Sequence, residues 1–507
     1  MGSKFMQKIL FSILIGILTV SCWASVSTNV PLDHWGYAAI DQLIAYGFVD
    51  SDLMTTRPVS RLEMARLISE AQFQIKEAKE INVFILARVN RLALEFEHEI
   101  DVINSPYGTS TASFLKPIED PYIRYVNAQK TPNLENESGD MFNEGSNTRL
   151  GFSSRGKITD RFAFYVRPEH RTPDGDDRGF NLRNAYGKTA LGRFEIQAGK
   201  DALWWGPAYH GSLIVSNHAE PLTMYKISNP HPILLPGILR RLGPMRGTFF
   251  LTELEKNRAV SEPKMTGLRL DFKPHPDVQF GLSRTVMFGG KPNGNVDLDD
   301  YLQVFWPKNI QDYGDKAALI SSRENQLAGA DISWRIGLPK HVPVRSVKLY
   351  GQFIGEDAAG FSSFRPILGA QINDLFRKGR SDLRLEFAKT SLGSSYPGAF
   401  YTHGTFINGY TYKGQVMGHH MGTEARDLFA RLTHCLTPDM AVGLEYNRQT
   451  HLTSDPHTKV SYWGSDVTWF GPCDLQLQAR YRLVHYQDHP MLSGNNSIFD
   501  VGLICNF

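Results

Sequence analysis

LQLQARYRL (Leu475–Leu483) and FDVGLICNF (Phe499–Phe507) decide the fold. In the first, Leu475, Leu477, Ala479, Tyr481 and Leu483 alternate with Gln476, Gln478, Arg480 and Arg482. In the second, Phe499, Val501, Leu503, Cys505 and Phe507 alternate with Asp500, Gly502, Ile504 and Asn506. Successive side chains of a strand point to opposite faces, so each run has one apolar and one mostly polar surface. A barrel wall with lipid outside and water inside fits that pattern. A soluble sandwich also alternates, but it buries its apolar face against a second sheet and has no reason to end on an aromatic residue.

The same rhythm recurs upstream, at Arg149–Arg155, Phe162–Pro168, Arg193–Gly199, Thr266–Phe272, Val278–Arg284, Val347–Phe353, Asp382–Ala388, Leu428–Leu432 and Val442–Tyr446, with Gly, Pro, Asn and Asp between the runs. Charges such as Arg161, Arg167 and Glu169 fall on the polar phases; a water-filled lumen tolerates them and lipid does not. The expected fold is therefore an all-β transmembrane barrel of the outer-membrane type over residues 122–507. The long interruptions Trp204–Gly247, Gly289–Asn325 and Leu392–Gly422 are its candidate functional loops.

Residues 1–24 read as a secretory signal peptide: Lys4 and Lys8 precede the apolar run Ile9–Val20, and Ser21, Ala24 and Ser25 supply the small residues of a cleavage site near Ala24. Cys22 raises a lipoprotein reading, which Thr19 disfavours. Residues 25–103 carry helical periodicity and are expected to form a small periplasmic domain. One helix follows an Asp33 cap and stops at Gly47. A second starts at Ser60, with Glu63 in capping-box position, and a third, longer one runs from about Gln72 to Ile100. Residues 104–121, rich in Ser, Thr and Pro, read as a linker.

Composition agrees. After the signal no apolar stretch reaches the roughly 20 residues a spanning helix needs, and mean hydropathy is −0.29. A net charge of +2 gives no indication of nucleic-acid binding. The 44 glycines and 11% aromatics suit barrel turns and interfacial girdles. Of the cysteines outside the signal, Cys435 shares the phase of Phe429 and Arg431 and should face the lumen. Cys473 and Cys505 share the apolar phase of two neighbouring strands, so their side chains are expected to lie close, bonded or as free thiols.

Two blocks carry a family resemblance. GKDALWWGPAYHGSLIVSN (Gly199–Asn217) is followed by Leu242-Gly243-Pro244 and FFLTELE (Phe249–Glu255), and the second block is YTHGTFINGYTYKGQVMGHHMG (Tyr401–Gly422). With the signal and the barrel rhythm, they resemble the capsule-assembly Wzi family of outer-membrane proteins. The resemblance implies a monomeric barrel of roughly 18 antiparallel strands in the outer membrane of a Gram-negative-type cell, with a periplasmic helical bundle. It also implies a lectin that holds capsular polysaccharide at the surface. Separately, VPLDHWGYAAIDQLIAYGFVD (Val30–Asp50) and RPVSRLEMARLI (Arg57–Ile68) are similar to an S-layer homology repeat. That similarity makes Asp33, His34, Trp35, Arg61 and Glu63 candidates for contact with peptidoglycan or a linked cell-wall polymer. Packing against the barrel is the competing role.

Trp204, Trp205, Tyr209 and His210 can stack on sugar rings, or they can form a girdle or a loop root beside Gly206-Pro207. Asn217, Tyr401, His403, Tyr410, Tyr412, His419 and His420 complete the polysaccharide-binding candidates. Adjacent histidines point in different directions and no third ligand has metal-site spacing, so neither metal nor cofactor is expected. There is no G-x-S-x-G elbow, no H-E-x-x-H and no phosphate-cradling loop, so the reading is non-enzymatic. The expected partners are surface polysaccharide and outer-membrane lipid. The alternative function is a carbohydrate-selective porin, whose lumen arginines and aromatics guide small sugars.

Overall fold

The computed structural model describes residues 25–78, 81–105, 113–173, 179–291, 324–356, 364–391, 400–453, 456–490 and 492–506. The signal segment, Phe507, most of the interruption after Gly289 and part of the linker lie outside them.

Eighteen antiparallel strands close into a barrel. They are β1 Phe114–Ala128, β2 Gly145–Ile158, β3 Phe162–Thr172, β4 Phe180–Leu191, β5 Phe194–Asp201, β6 Leu222–Ser228, β7 Pro244–Glu253, β8 Lys264–His275 and β9 Val278–Phe288. The circuit continues through β10 Glu324–Gly337, β11 Ser346–Glu356, β12 Arg365–Asn373, β13 Ser381–Lys389, β14 Ala425–Thr437, β15 Met440–His451, β16 Thr458–Phe470, β17 Leu475–Gln487 and β18 Gly494–Cys505. Closure pairs β18 with β1, from Ile504 opposite Tyr122 to Ile498 opposite Ala128.

The phases fall as the opening runs require. Tyr481, Leu483, Phe499 and Leu503 face outward and are exposed, whereas Gln476, Arg482 and Asp500 face inward and are buried. Outward Leu150, Tyr225, Leu444 and Trp463 extend the apolar belt around the wall. Among the described residues no helix is long and apolar enough to cross a membrane. Inside, charges are paired: Arg431 bonds Glu445 and Asp466 at 2.9 and 2.7 Å, and Arg124 bonds Glu137 and Asp500 at 2.6 and 2.8 Å. An unpaired charge in that interior would keep its full desolvation cost.

Several expectations need correction. The interruption Trp204–Gly247 contains β6 and the start of β7. LTMYKIS alternates, but it is short, its inward phase includes Lys226 and Ser228, and prolines flank it, so its apolar face is only Thr223, Tyr225 and Ile227. Strand β1 opens at Phe114, inside the segment read as a linker. Pro117 and Pro121 are accommodated at two breaks of register against β2, between Lys116 and Glu119 and between Glu119 and Tyr122, because a bulge removes the ladder bond that a proline cannot donate. The long third helix is several.

Those helices are α1 Gly36–Ala45, α2 Arg61–Glu77, α3 Val83–Glu95 and α4 Glu97–Asn104. Helix α1 is capped at Trp35 rather than Asp33, and Gly47 at φ 83° follows its end. Ser60 accepts the Glu63 N–H at the head of α2, as the capping-box spacing predicts. Asn82 starts α3 by accepting the Phe84 N–H, and Phe96 breaks α3 from α4. Ile40, Leu43, Leu67, Ile68, Val89, Leu92 and Phe96 form the bundle's own core.

The bundle sits in the barrel mouth ringed by short turns, residues 159–161, 192–193, 276–277, 438–439 and 471–474. Asp41 accepts from Lys348 and Arg384 at 2.9 and 2.7 Å, Arg246 bonds Glu63 at 3.0 Å, and Arg155 bonds Glu99 at 2.9 Å. Burial alone would raise Glu63, but the hydrogen bonds of Arg66 and His231 and the charge of Arg246 bring it down to about 2. Glu95 and Glu99 are likewise held at about 2, against their burial, by His34 and Arg61 and by Arg61 and Arg155 respectively.

Cys435 faces the lumen, buried, with Arg88 Nη2 at 3.3 Å from its Sγ. The expected Cys473–Cys505 pair does not form: β17 and β18 are neighbours, but Cys505 lies opposite Leu475. Cys473 sits in the turn before β17, exposed and at φ 57°, so it has no ladder partner, and all three thiols are free.

Candidate functional site

From the mouth with the long connections, three arms fold back into the lumen: residues 129–144, 202–221 and 400–424. The first brings Glu135 to Arg482 at 2.7 Å and Glu137 to Arg124, and its Asn136 side chain bonds the His210 carbonyl at 2.8 Å.

The second arm is rooted deep. Trp204 and Trp205 pair with Arg57 and Thr56 of the segment leading into α2, as a short antiparallel ladder. The Trp205 ring is fully buried with its centroid 5.4 Å from that of Phe250. Its carbonyl accepts from Gln352 Nε2 at 2.9 Å and Ser212 Oγ at 2.5 Å. Gly206 follows at φ 126°, and a Cβ there would fall 2.5 Å from Gln352 Nε2; the tight turn therefore needs glycine twice over. Glu386 on β13 then accepts the N–H groups of Tyr209 and His210 at 2.7 and 2.9 Å and the Tyr350 hydroxyl at 2.5 Å. Between this arm and the helical bundle, the cavity lined by Ile44, Met54, Thr55, Arg57, Pro207 and Lys348 is about 30 Å³, room for roughly two waters and no sugar.

The third arm is laced onto the second. Tyr401 donates its hydroxyl to the Leu213 carbonyl at 2.6 Å and accepts the His419 N–H at 2.9 Å. Tyr410 donates to the Ile214 carbonyl at 2.8 Å, and the Ser216 N–H donates to Met417 O at 2.8 Å. Lys413 reaches Glu220 at 2.8 Å beside the Tyr412 ring.

The sequence candidates thus separate by depth. Trp204, Trp205, Tyr401, Tyr410 and Tyr412 are buried anchors, and Asn217 bonds the Asn136 carbonyl at 2.9 Å. Tyr209 is 40% exposed to the lumen, stacked over Phe429 with the Arg384 guanidinium 4.4 Å above its ring. His403 is half-buried, its Nδ1 accepting the Thr405 N–H at 3.1 Å. Ile407 and Asn408, which the sequence did not single out, project outward beside it. Ile407 is exposed, and Asn408 accepts the Ala259 N–H from the β7–β8 connection at 2.8 Å.

Four histidines collect where the arms meet. His210 stacks on Phe429 at 3.9 Å and meets His420 edge-on at 4.6 Å; His419 lies 4.3 Å and His218 6.1 Å from His420, all between ring centroids. Burial pushes His210 down to about 3 and His218 to about 4, and holds His419 and His420 well below the ordinary histidine value. All four are neutral imidazoles at neutral pH. The polar neighbours that hold them, Glu386, Asp427 and Asn447 at His210 and Gln449 at His420, are inward-phase strand residues, as is Gln352 beneath the second arm. Alternation marks such positions as lumenal without saying which arm they will meet.

The cell-wall candidates are engaged by the barrel and the bundle. Asp33 receives Arg167 at 2.8 Å, Trp35 meets Phe470 edge-on at 5.2 Å, His34 lies 3.5 Å from Glu95, and Arg61 bonds Glu99 at 2.8 Å.

The family profile described as capsule assembly protein Wzi matches residues 120–488. The solved structure of Wzi, described as an outer-membrane protein involved in group 1 capsule assembly in Escherichia coli and a carbohydrate-binding β-barrel, superposes with TM-score 0.72 at 19% identity. The match covers 95% of this chain and 100% of that one. An uncharacterised 55.8 kDa protein in the cps region of Klebsiella pneumoniae is 28% identical over 183 residues, 36% of this chain and 34% of its own length. The alignment to that relative thus spans about a third of it.

Proposed function

This chain belongs to the capsule assembly protein Wzi family, and from that membership we propose that it binds exported capsular polysaccharide at the outer-membrane surface and holds it there without chemical turnover. The orientation follows from barrel construction, in which short turns face the periplasm and long connections face outward. The helical bundle then plugs the periplasmic mouth, and the arms present their ends to the exterior.

The observation that carries this reading is the lacing of three inward arms to one another and to the wall, with exposed Ile407 and Asn408 and half-buried His403 at the outer reach of the third. A conduit for sugars needs an unobstructed lumen. A holder of polymer needs a rigid outer rim, and the buried anchors Trp205, Tyr401 and Tyr410 supply rigidity while His403, Ile407 and Asn408 supply contact. Affinity for a repeating polymer accumulates over many weak contacts, so no deep pocket is required.

Deleting the gene and measuring capsule on cells against capsule in the medium tests the proposal. The expected result is a shift of polymer into the medium, reversed by the full chain and only partly by a His403→Ala/Ile407→Ala/Asn408→Ala variant that still inserts. Unchanged surface polymer in the deletion strain would overturn it.

A further inference from the structure

We propose that His210, His420 and Asp427 form a divalent transition-metal site of the zinc class inside the barrel, pinning the second and third arms to strand β14. One ligand atom from each lies within 4.8 Å of the others, and all three residues are buried. His210 Nε2 and Asp427 Oδ1 stand 3.8 Å apart. Ligands about 2.0–2.1 Å from a tetrahedral zinc are separated by about 3.4 Å, so that pair needs to close by only a fraction of an ångström. Sequence spacing could not show this site. The His419 and His420 rings lie 4.3 Å apart, but the partners of His420 come from a different arm and from the wall.

Two further observations point to a cation. His420 Nε2 is buried without a hydrogen-bond partner, an orphan of the kind native interiors rarely keep. Asp427 is a buried carboxylate that pairs with no Lys or Arg among the described residues, whereas its lumenal neighbours Glu445 and Asp466 both hold arginines. Instead, Asn447 Nδ2 donates to the two Asp427 oxygens at 3.0 and 3.1 Å and lies 3.0 Å from His210 Nε2. That weakly positive amide occupies the place between carboxylate and imidazole that a cation would share.

The outer contacts suit ligation too. His420 Nδ1 is 3.2 Å from the Gln449 side-chain amide. With the amide turned so that its oxygen faces the ring, Gln449 accepts the Nδ1–H and frees Nε2 for metal, the usual support of a ligating histidine. Phe429 stacked on His210 keeps that ring in place. Two neutral imidazoles and one carboxylate leave a fourth position for water. The site would cross-link three segments distant in sequence, whether or not the rim above them binds polysaccharide.

The full chain, folded in detergent and stripped with a chelator, is titrated with Zn²⁺ by calorimetry and with Co²⁺ by visible absorption. One saturable equivalent and a tetrahedral cobalt spectrum are expected. Asp427→Asn, which keeps the side-chain shape, and His420→Ala should each weaken affinity by at least about tenfold, while His218→Ala retains the equivalent. Heat-modifiable gel migration establishes that each variant is a folded barrel. Absence of saturable metal in the folded wild type would overturn the site and leave the Asn447 amide as the whole bridge. Unaltered affinity in the folded Asp427→Asn and His420→Ala proteins would overturn the ligand set.

Discussion

Trp205 and Tyr209 sit four residues apart and do different work. Trp205 is a packed root, so Trp205→Ala opens a cavity against Phe250 and should cost about 3–5 kcal/mol, read as a lower melting temperature and faster proteolysis within residues 202–221. Tyr209 is half open to the lumen, and Tyr209→Ala should cost clearly less. Equal melting points for the two variants would contradict the assignment. Arg269 is a harsher case. It is fully buried between Asp271 at 2.7 Å and Asp331 at 2.6 Å, so Arg269→Met strands two carboxylates and should cost about 3–5 kcal/mol or abolish insertion. At this scale the sequence disclosed the aromatic and histidine residues of the arms but not their depth. The WWGP block reads both as a sugar platform and as a girdle or loop root, because depth is set by Thr56, Gln352 and Phe250, which are remote in sequence.

Elements were more legible where a period was long and uninterrupted. The runs at Leu475 and Phe499 are strands β17 and β18 with the phases read from them, and Ser60 caps α2 at its expected place. Legibility failed where the local signal was short or broken. In β6 it is a seven-residue run between prolines, in β1 two prolines sit at bulges, and in α3–α4 an apolar stripe continues past the break at Phe96. The helical plug also carries a pH dependence. Glu63, Glu95 and Glu99 have folded values of about 2 against an ordinary 4.5. Folded values below unfolded ones mean that these carboxylates stabilise the bundle and its docking fully above about 4.5 and lose that contribution as pH falls toward 2. Hydrogen exchange over residues 30–104 should therefore accelerate in that window, before the barrel strands respond. Protection of the helices that is constant from pH 5 to pH 2 would show that the ion pairs do not hold the plug.

At the scale of the whole molecule, the lumen's charges say what the protein conducts. Arms from one mouth and helices from the other fill the barrel and neutralise its wall, so the full chain in a planar bilayer should show little current, whereas a sugar-selective porin would show steady ohmic pores. Removing the helical bundle has a sign as well as a size. Asp33, Asp41, Asp50, Asp52, Glu63 and Glu99 leave with it, stripping partners from Arg167, Lys348, Arg384, Arg335, Lys273, Arg246 and Arg155 around the inner mouth. In the other direction, Asp439 loses Arg91. Arg155 and Arg335 keep Glu119 and Asp277, but a mouth that loses more acids than cations from its remaining pairs selects anions. A barrel lacking residues 30–104 that still inserts should accordingly conduct more than the full chain and prefer chloride over potassium, measured as a reversal potential in a salt gradient. Cation preference would mean that the wall's acids, not its arginines, set the field once the plug is gone. Large ohmic steps in the intact protein would mean that the arms do not obstruct the lumen, and would favour a conduit over a polymer-holding rim.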